Sequence, residues 1–109
     1  MSYAKRVSVL GTEYHIKCRD MHDENTDGYC DYTNHEIHIR SDNANNVGNF
    51  EALQKKSLRH ELVHAFLAES GLQANFQHCE EFGHEETMVD WMAIQLPKIV
   101  AACKEVGCL

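Results

Sequence analysis

The sequence has one proline and one tryptophan among its 109 residues, and no apolar run approaches the ~20 residues of a membrane-spanning helix. Its first six residues include Lys5 and Arg6, but they lack the apolar stretch of a signal peptide. Basic residues are also scarce: ten Lys and Arg stand against seventeen Asp and Glu, a net charge of −7. Such a charge disfavours nucleic acid or an anionic membrane as the main partner. We therefore expect a cytoplasmic protein.

The composition is that of an ordinary globular protein, with 43% hydrophobic and 25% charged residues. A chain of this length supports one core, so we expect a single domain over residues 1–109. The five cysteines form no C-x-x-C pair, which argues against a zinc ribbon or a thioredoxin-type redox site. We expect reduced thiols that pack as small hydrophobic groups.

The first half of the chain is strand-like. Short runs over residues 7–10 and 13–18 and a hairpin over residues 28–32 and 36–40 are separated by turn residues, with Thr33 and Asn34 near the hairpin turn. Ile37 and Ile39 fall on one face of the last strand and His38 on the other. We interpret His38 as a surface residue in this pattern.

The second half is helical. Residues 50–70 contain no glycine or proline, Asn49 precedes them as a predicted N-cap, and Gly71 stands where a helix usually ends. A second helix is predicted from residues 80–85 to about residue 103, with Pro97 kinking or restarting it. The predicted fold class is α+β: a small, mostly antiparallel sheet packed on a long first helix, plus a C-terminal helix.

His60, Glu61 and His64 form the pattern H-E-x-x-H within the first predicted helix. Histidines four positions apart lie on one face, so each can give a nitrogen to a single Zn²⁺. Glu61 points about 100° round the helix, where it can take a proton from a zinc-bound water and pass it to a leaving amine. The sequence therefore predicts a zinc site with Glu61 as the general base.

A catalytic zinc needs a third protein ligand and an open fourth position. Glu86 and Asp90 form E-x-x-x-D at the start of an amphipathic helix, on one face of it. Glu86 can ligate the zinc, while Asp90 can accept a hydrogen bond from the second ring nitrogen of His60 and so fix its orientation. Alternative ligands precede them in the sequence, and these are His78, Cys79, Glu80, Glu81, His84 and Glu85.

These motifs resemble the gluzincin metallopeptidases, and the short chain is similar to the single-domain minigluzincins and to small zincin-like proteins encoded by phages and prophages. Residues 58–66 and 85–93 carry the likeness, which covers about residues 36–100. The resemblance implies a zincin-like fold in which His60, His64 and Glu86 bind Zn²⁺ and Glu61 is the catalytic base.

The resemblance also implies that Asp90 orients His60. By the same resemblance, the strand over residues 36–40 is the upper-rim strand that pairs with an extended peptide substrate. Its central residues are Ile37, His38 and Ile39.

Larger gluzincins add a domain whose His or Tyr stabilises the oxyanion, and this chain is too short to hold one. His78, His84 or Tyr29 could take that role. Minigluzincins are described as latent, which implies that the C-terminal segment covers the cleft. Two functions therefore remain open: a zinc metallopeptidase acting on peptides or proteins, or a binding or regulatory module of the same fold with a structural zinc.

Overall fold

The computed structural model describes residues 5–74 and 86–109, which form an α+β arrangement of one sheet and two helices. The strands are β1 (Arg6–Val9), β2 (Thr12–Arg19), β3 (Gly28–Asp31) and β4 (Glu36–Arg40). The helices are α1 (Phe50–Glu69) and α2 (Glu86–Val106), with a short 3₁₀ turn at Leu72–Ala74. None of the helices in these two ranges is long and apolar enough to cross a membrane.

The sheet is mixed, with the strand order β1-β2-β4-β3. The pairs β1–β2 and β3–β4 are antiparallel, and β2 and β4 join the two hairpins along a parallel seam. The predicted hairpin over residues 28–32 and 36–40 and the α+β class are confirmed, whereas the parallel pairing of β2 with β4 was not predicted. Its consequence for the site is that β4 lies inside the sheet and β3 lies at its edge.

The core lies between one face of the sheet and the two helices. Alternate strand residues such as Ile37 and Ile39 supply the sheet side, and Leu58, Leu62 and Phe66 supply most of the α1 side. The α2 side consists of residues from its second half, and these are Ile99, Ala102, Cys103 and Val106. The common face predicted for Ile37 and Ile39 of β4 is therefore confirmed.

Helix α1 begins and ends as its sequence predicts. The Asn49 side chain accepts a hydrogen bond from the backbone N–H of Ala52 at 3.1 Å, as an N-cap does. Gly71 follows the last turn with a φ of 83°, a conformation that glycine adopts without steric cost. These two caps fix the register of the helix that carries His60, Glu61 and His64.

Helix α2 packs against α1 in the opposite direction. Near its start, Trp91 Nε1 donates to Ser70 Oγ at 2.8 Å, and just past its end the carbonyl of Cys108 accepts from Arg59 Nη1 at 2.6 Å. The helix continues through Pro97 and ends at Val106, directly before Gly107 and close to its predicted end. Its predicted start falls on residues outside the described ranges.

Candidate metal centre

His60 and His64 lie one turn apart on an exposed face of α1, and their imidazole rings meet edge to face with centroids 4.9 Å apart. Their Nε2 atoms are 3.2 Å apart. Two nitrogens that bind one tetrahedral Zn²⁺ at about 2.0–2.1 Å lie about 3.3 Å from each other. The two rings therefore already have the spacing that a shared zinc ion requires.

Glu61 lies beside this pair but points toward the sheet, where it is only 7% exposed. Burial raises the pKa of its carboxyl group, and the positive charge of His60 and His64, when protonated, opposes that rise. Ligand atoms of His60, Glu61 and His64 all lie within 4.8 Å of one another. Within the described ranges these residues form the one group of three or more His, Cys, Asp or Glu side chains that could hold a metal ion.

Glu86 and Asp90 are not brought to this group. Both are exposed on the first two turns of α2. Because α2 runs antiparallel to α1 and Trp91 meets Ser70, Glu86 lies toward and past the C-terminal end of α1 and not beside His64. A third ligand from Glu86 and a hydrogen bond from His60 to Asp90 are thus not features of this arrangement. The alternatives His78, Cys79, Glu80, Glu81, His84 and Glu85 lie outside the described residues.

The substrate-pairing role predicted for Ile37, His38 and Ile39 needs correction. Strand β4 is hydrogen-bonded to β2 on one side and to β3 on the other, so its backbone has no free edge for a peptide. The edge strand near Glu61 is β3: a Cβ built on Gly28 would lie 3.5 Å from Glu61 Cγ. The resemblance implied a substrate-pairing edge at β4, whereas the edge strand of this hairpin is β3.

His38 is also not a surface residue, because side chains from two neighbouring strands cover it. Its ring stacks on Tyr29 with centroids 4.4 Å apart, and its Nδ1 accepts from Arg19 Nε at 3.0 Å. Its Nε2 then carries the proton and faces Glu36 Oε1 at 3.0 Å. Arg19 Nη2 also donates to the Tyr29 hydroxyl at 2.7 Å, so Tyr29 is held on the outer face of the sheet.

A groove runs between α1 and β3 and passes over His60 and Glu61. It has two halves that share these two residues and Gly28. One half has a volume of about 660 Å³ and also contains His64, and the other has a volume of about 420 Å³. The groove has no signature in the sequence, because its walls come from distant segments that meet only when α1 packs on the sheet beside β3.

The C-terminal segment lies elsewhere on the molecule. Cys103 and Cys108 are buried in the core, as expected of small hydrophobic groups. Burial raises the pKa of the Cys108 thiol to about 12, which keeps it protonated near neutral pH. The Arg59 contact holds the Cys108 carbonyl against α1. The expectation that the C-terminal segment covers the cleft therefore has no counterpart in the described groove walls.

Comparison of the chain with protein-family models, with curated proteins and with solved structures found no match.

Proposed function

We propose that this protein is a zinc-dependent peptide hydrolase with a zincin-like arrangement, in which His60 and His64 hold the metal and Glu61 moves the proton. The single observation that carries the proposal is the 3.2 Å spacing of the two Nε2 atoms on an exposed helix face. Two imidazole nitrogens beside a carboxylate suit Zn²⁺ better than the hard cations Mg²⁺ and Ca²⁺, which prefer oxygen ligands. The resemblance of the motif to gluzincins supports the same metal.

A bound zinc ion would act as a Lewis acid that polarises a carbonyl oxygen and acidifies a water molecule. The carboxylate of Glu61 takes the proton of the attacking water and gives it to the nitrogen of the leaving amine.

Strand β3 supplies the other half of the mechanism, which is the alignment of the substrate. Among the described residues its outer edge has no partner strand, and that edge can pair with an extended peptide by backbone hydrogen bonds. Gly28 has no side chain to keep that peptide away from Glu61. A peptide bound along β3 would therefore pass over the carboxylate and the two histidines.

The test is metal content by elemental analysis of untagged protein. We expect about one zinc per chain in the wild type and a large loss in His64→Ala, with His22→Ala as a control on an exposed loop histidine. Glu61→Gln should keep the zinc and lose hydrolysis of a denatured-protein and peptide panel. A wild type without zinc after reconstitution would refute the metal site, and equal hydrolysis by Glu61→Gln would refute the mechanism.

The Glu86→Ala variant tests whether Glu86 is the third zinc ligand. From its distance along α2 we expect this variant to retain its zinc. Loss of zinc would show that α2 packs differently in the metal-bound protein and that the ligand predicted from sequence is used.

A second function, a peptide-binding or regulatory module with a structural zinc, is favoured by one observation. Within the described ranges the metal-binding group offers two histidines and Glu61, without a separate third ligand. Peptide binding without cleavage, in a protein that keeps its zinc, would select this alternative.

A further inference from the structure

The two halves of the groove differ in chemistry. The larger half is walled by Tyr32, Leu67 and Leu72, and these side chains make most of its surface apolar. The smaller half is walled by Thr26, Asp27, Lys56 and Ser57, among other residues. Because the halves meet at His60 and Glu61, a peptide lying in the groove would place different side chains on the two sides of the bond above them.

The apolar half is open to a ligand. Tyr32 is 46% exposed, and Leu67 and Leu72 are only partly buried and do not belong to the core cluster. Leu67 follows His64 by three positions, so it lies on the same face of α1. A large apolar side chain in this half would remove further apolar surface from water, which is worth about tenfold or more in affinity.

In the polar half Lys56 carries a charge that no described residue neutralises. It lies one turn before His60 on the exposed face of α1, and no ion pair forms between it and any residue in the described ranges. Its neighbour Lys55 is different, since its Nζ lies 3.7 Å from Glu51 Oε1. Two carboxylates also line this half. That of Glu61 is largely buried beside His60, and that of Asp27 lies 3.9 Å from the buried guanidinium of Arg40, which offsets its charge.

We infer that the groove selects peptides that carry a large apolar residue on one side of the cleaved bond and an acidic residue on the other, and that Lys56 recognises the acidic residue. This inference names the substrate class of the proposed hydrolase and so rests on that function. Leu67 and Lys56 are its specificity-determining residues.

The experiment measures binding, so that it does not depend on turnover. The ligands are fluorescein-labelled peptides of glycine and serine with a leucine at the centre. One glutamate is placed in turn at each position on either side of the leucine, and matched peptides carry lysine in place of that glutamate. Fluorescence anisotropy at about 150 mM salt gives Kd for the Glu61→Gln protein, with and without zinc. Lys56→Glu is the test variant and Lys55→Glu is the matched control with the same change of net charge.

We expect glutamate peptides to bind about three- to tenfold tighter than lysine peptides at one or two positions on a single side of the leucine, as an exposed ion pair permits. Lys56→Glu should reverse that preference, and Lys55→Glu should preserve it. Leu67→Glu should weaken the binding of every leucine peptide, and its far-ultraviolet circular dichroism checks that it folds.

Equal binding of glutamate and lysine peptides, or equal effects of the two lysine variants, would overturn the inference. If the zinc-loaded wild type cleaves peptides without preferring glutamate, the inference is overturned and the proposed hydrolase function is retained. If glutamate peptides bind more tightly but the zinc-loaded wild type cleaves none of them, the inferred selectivity of the groove stands and the proposed hydrolase function is refuted.

Discussion

Replacing Gly28 by alanine tests whether the edge strand sits as close to β4 and Glu61 as the structure requires. A Cβ at this position would lie 2.7 Å from the carbonyl oxygen of His38 and 3.3 Å from Ile39 Cδ1. The oxygen belongs to the backbone of β4, which is held by strands on both sides and has little freedom to move. Strand β3 must therefore shift outward, and such overpacking costs about 1–3 kcal/mol of unfolding free energy.

The assay is urea unfolding of Gly28→Ala beside Gly48→Ala. Nothing lies within 4 Å of a Cβ at Gly48, and its φ is not positive, so alanine there should be neutral or should stabilise by about 0.4–1 kcal/mol through the unfolded chain. Zinc content should be unchanged in Gly28→Ala, because His60 and His64 are both on α1. Its peptide binding should weaken, because β3 forms the facing wall of the groove. Equal stability of the two variants would refute the close approach of β3.

Three further substitutions test the fold around the site. Tyr14→Phe removes the hydroxyl that donates to Glu69 Oε2 at 2.9 Å, and it should lower the unfolding free energy by about 1 kcal/mol in urea at pH 7; no change would mean that the bond is not formed in solution. Leu62→Ala, at a fully buried position, should cost about 2–5 kcal/mol, and a cost under 1 kcal/mol would contradict the packing of α1 on the sheet. Asp31→Asn should reduce the loss of stability in acid. Hydrogen bonds from Asn34 and Thr33 lower the folded-state pKa of Asp31 from 3.8 to about 2, so its charge stabilises the fold above about pH 4 and that contribution disappears as the pH falls toward 2. The wild type should therefore lose more unfolding free energy than the variant between pH 5 and pH 2. Equal losses in the two proteins would contradict the hydrogen bonds from Asn34 and Thr33 to Asp31.

The sequence predicts best what its local chemistry determines. Asn49, Gly71 and the absence of glycine and proline between them define α1, and the spacing of His60 and His64 places both rings on one face of it. These features depend only on the helix itself. For the same reason the pairing of the two histidines was predictable without knowledge of any other element.

The rest depends on how the elements pack. The spacing of Glu86 and Asp90 places both on one face of α2, but it says nothing of where that helix lies relative to α1. Alternation places Ile37 and Ile39 in the core, yet it cannot show whether their strand lies at an edge or in the middle of the sheet. The burial of His38 is invisible in the sequence, because the side chains that cover it come from β2 and β3.

The parallel seam between β2 and β4 has a consequence for how the chain folds. Each hairpin closes locally, but every residue pair in the seam, from His15–Glu36 to Arg19–Arg40, joins positions 21 residues apart. The entropy lost in closing such a loop grows only slowly with its length, by about 0.6 kcal/mol for each doubling. The two hairpins should thus form first and then associate along the seam, and an insertion in residues 20–27 should slow that association more than it destabilises the folded protein.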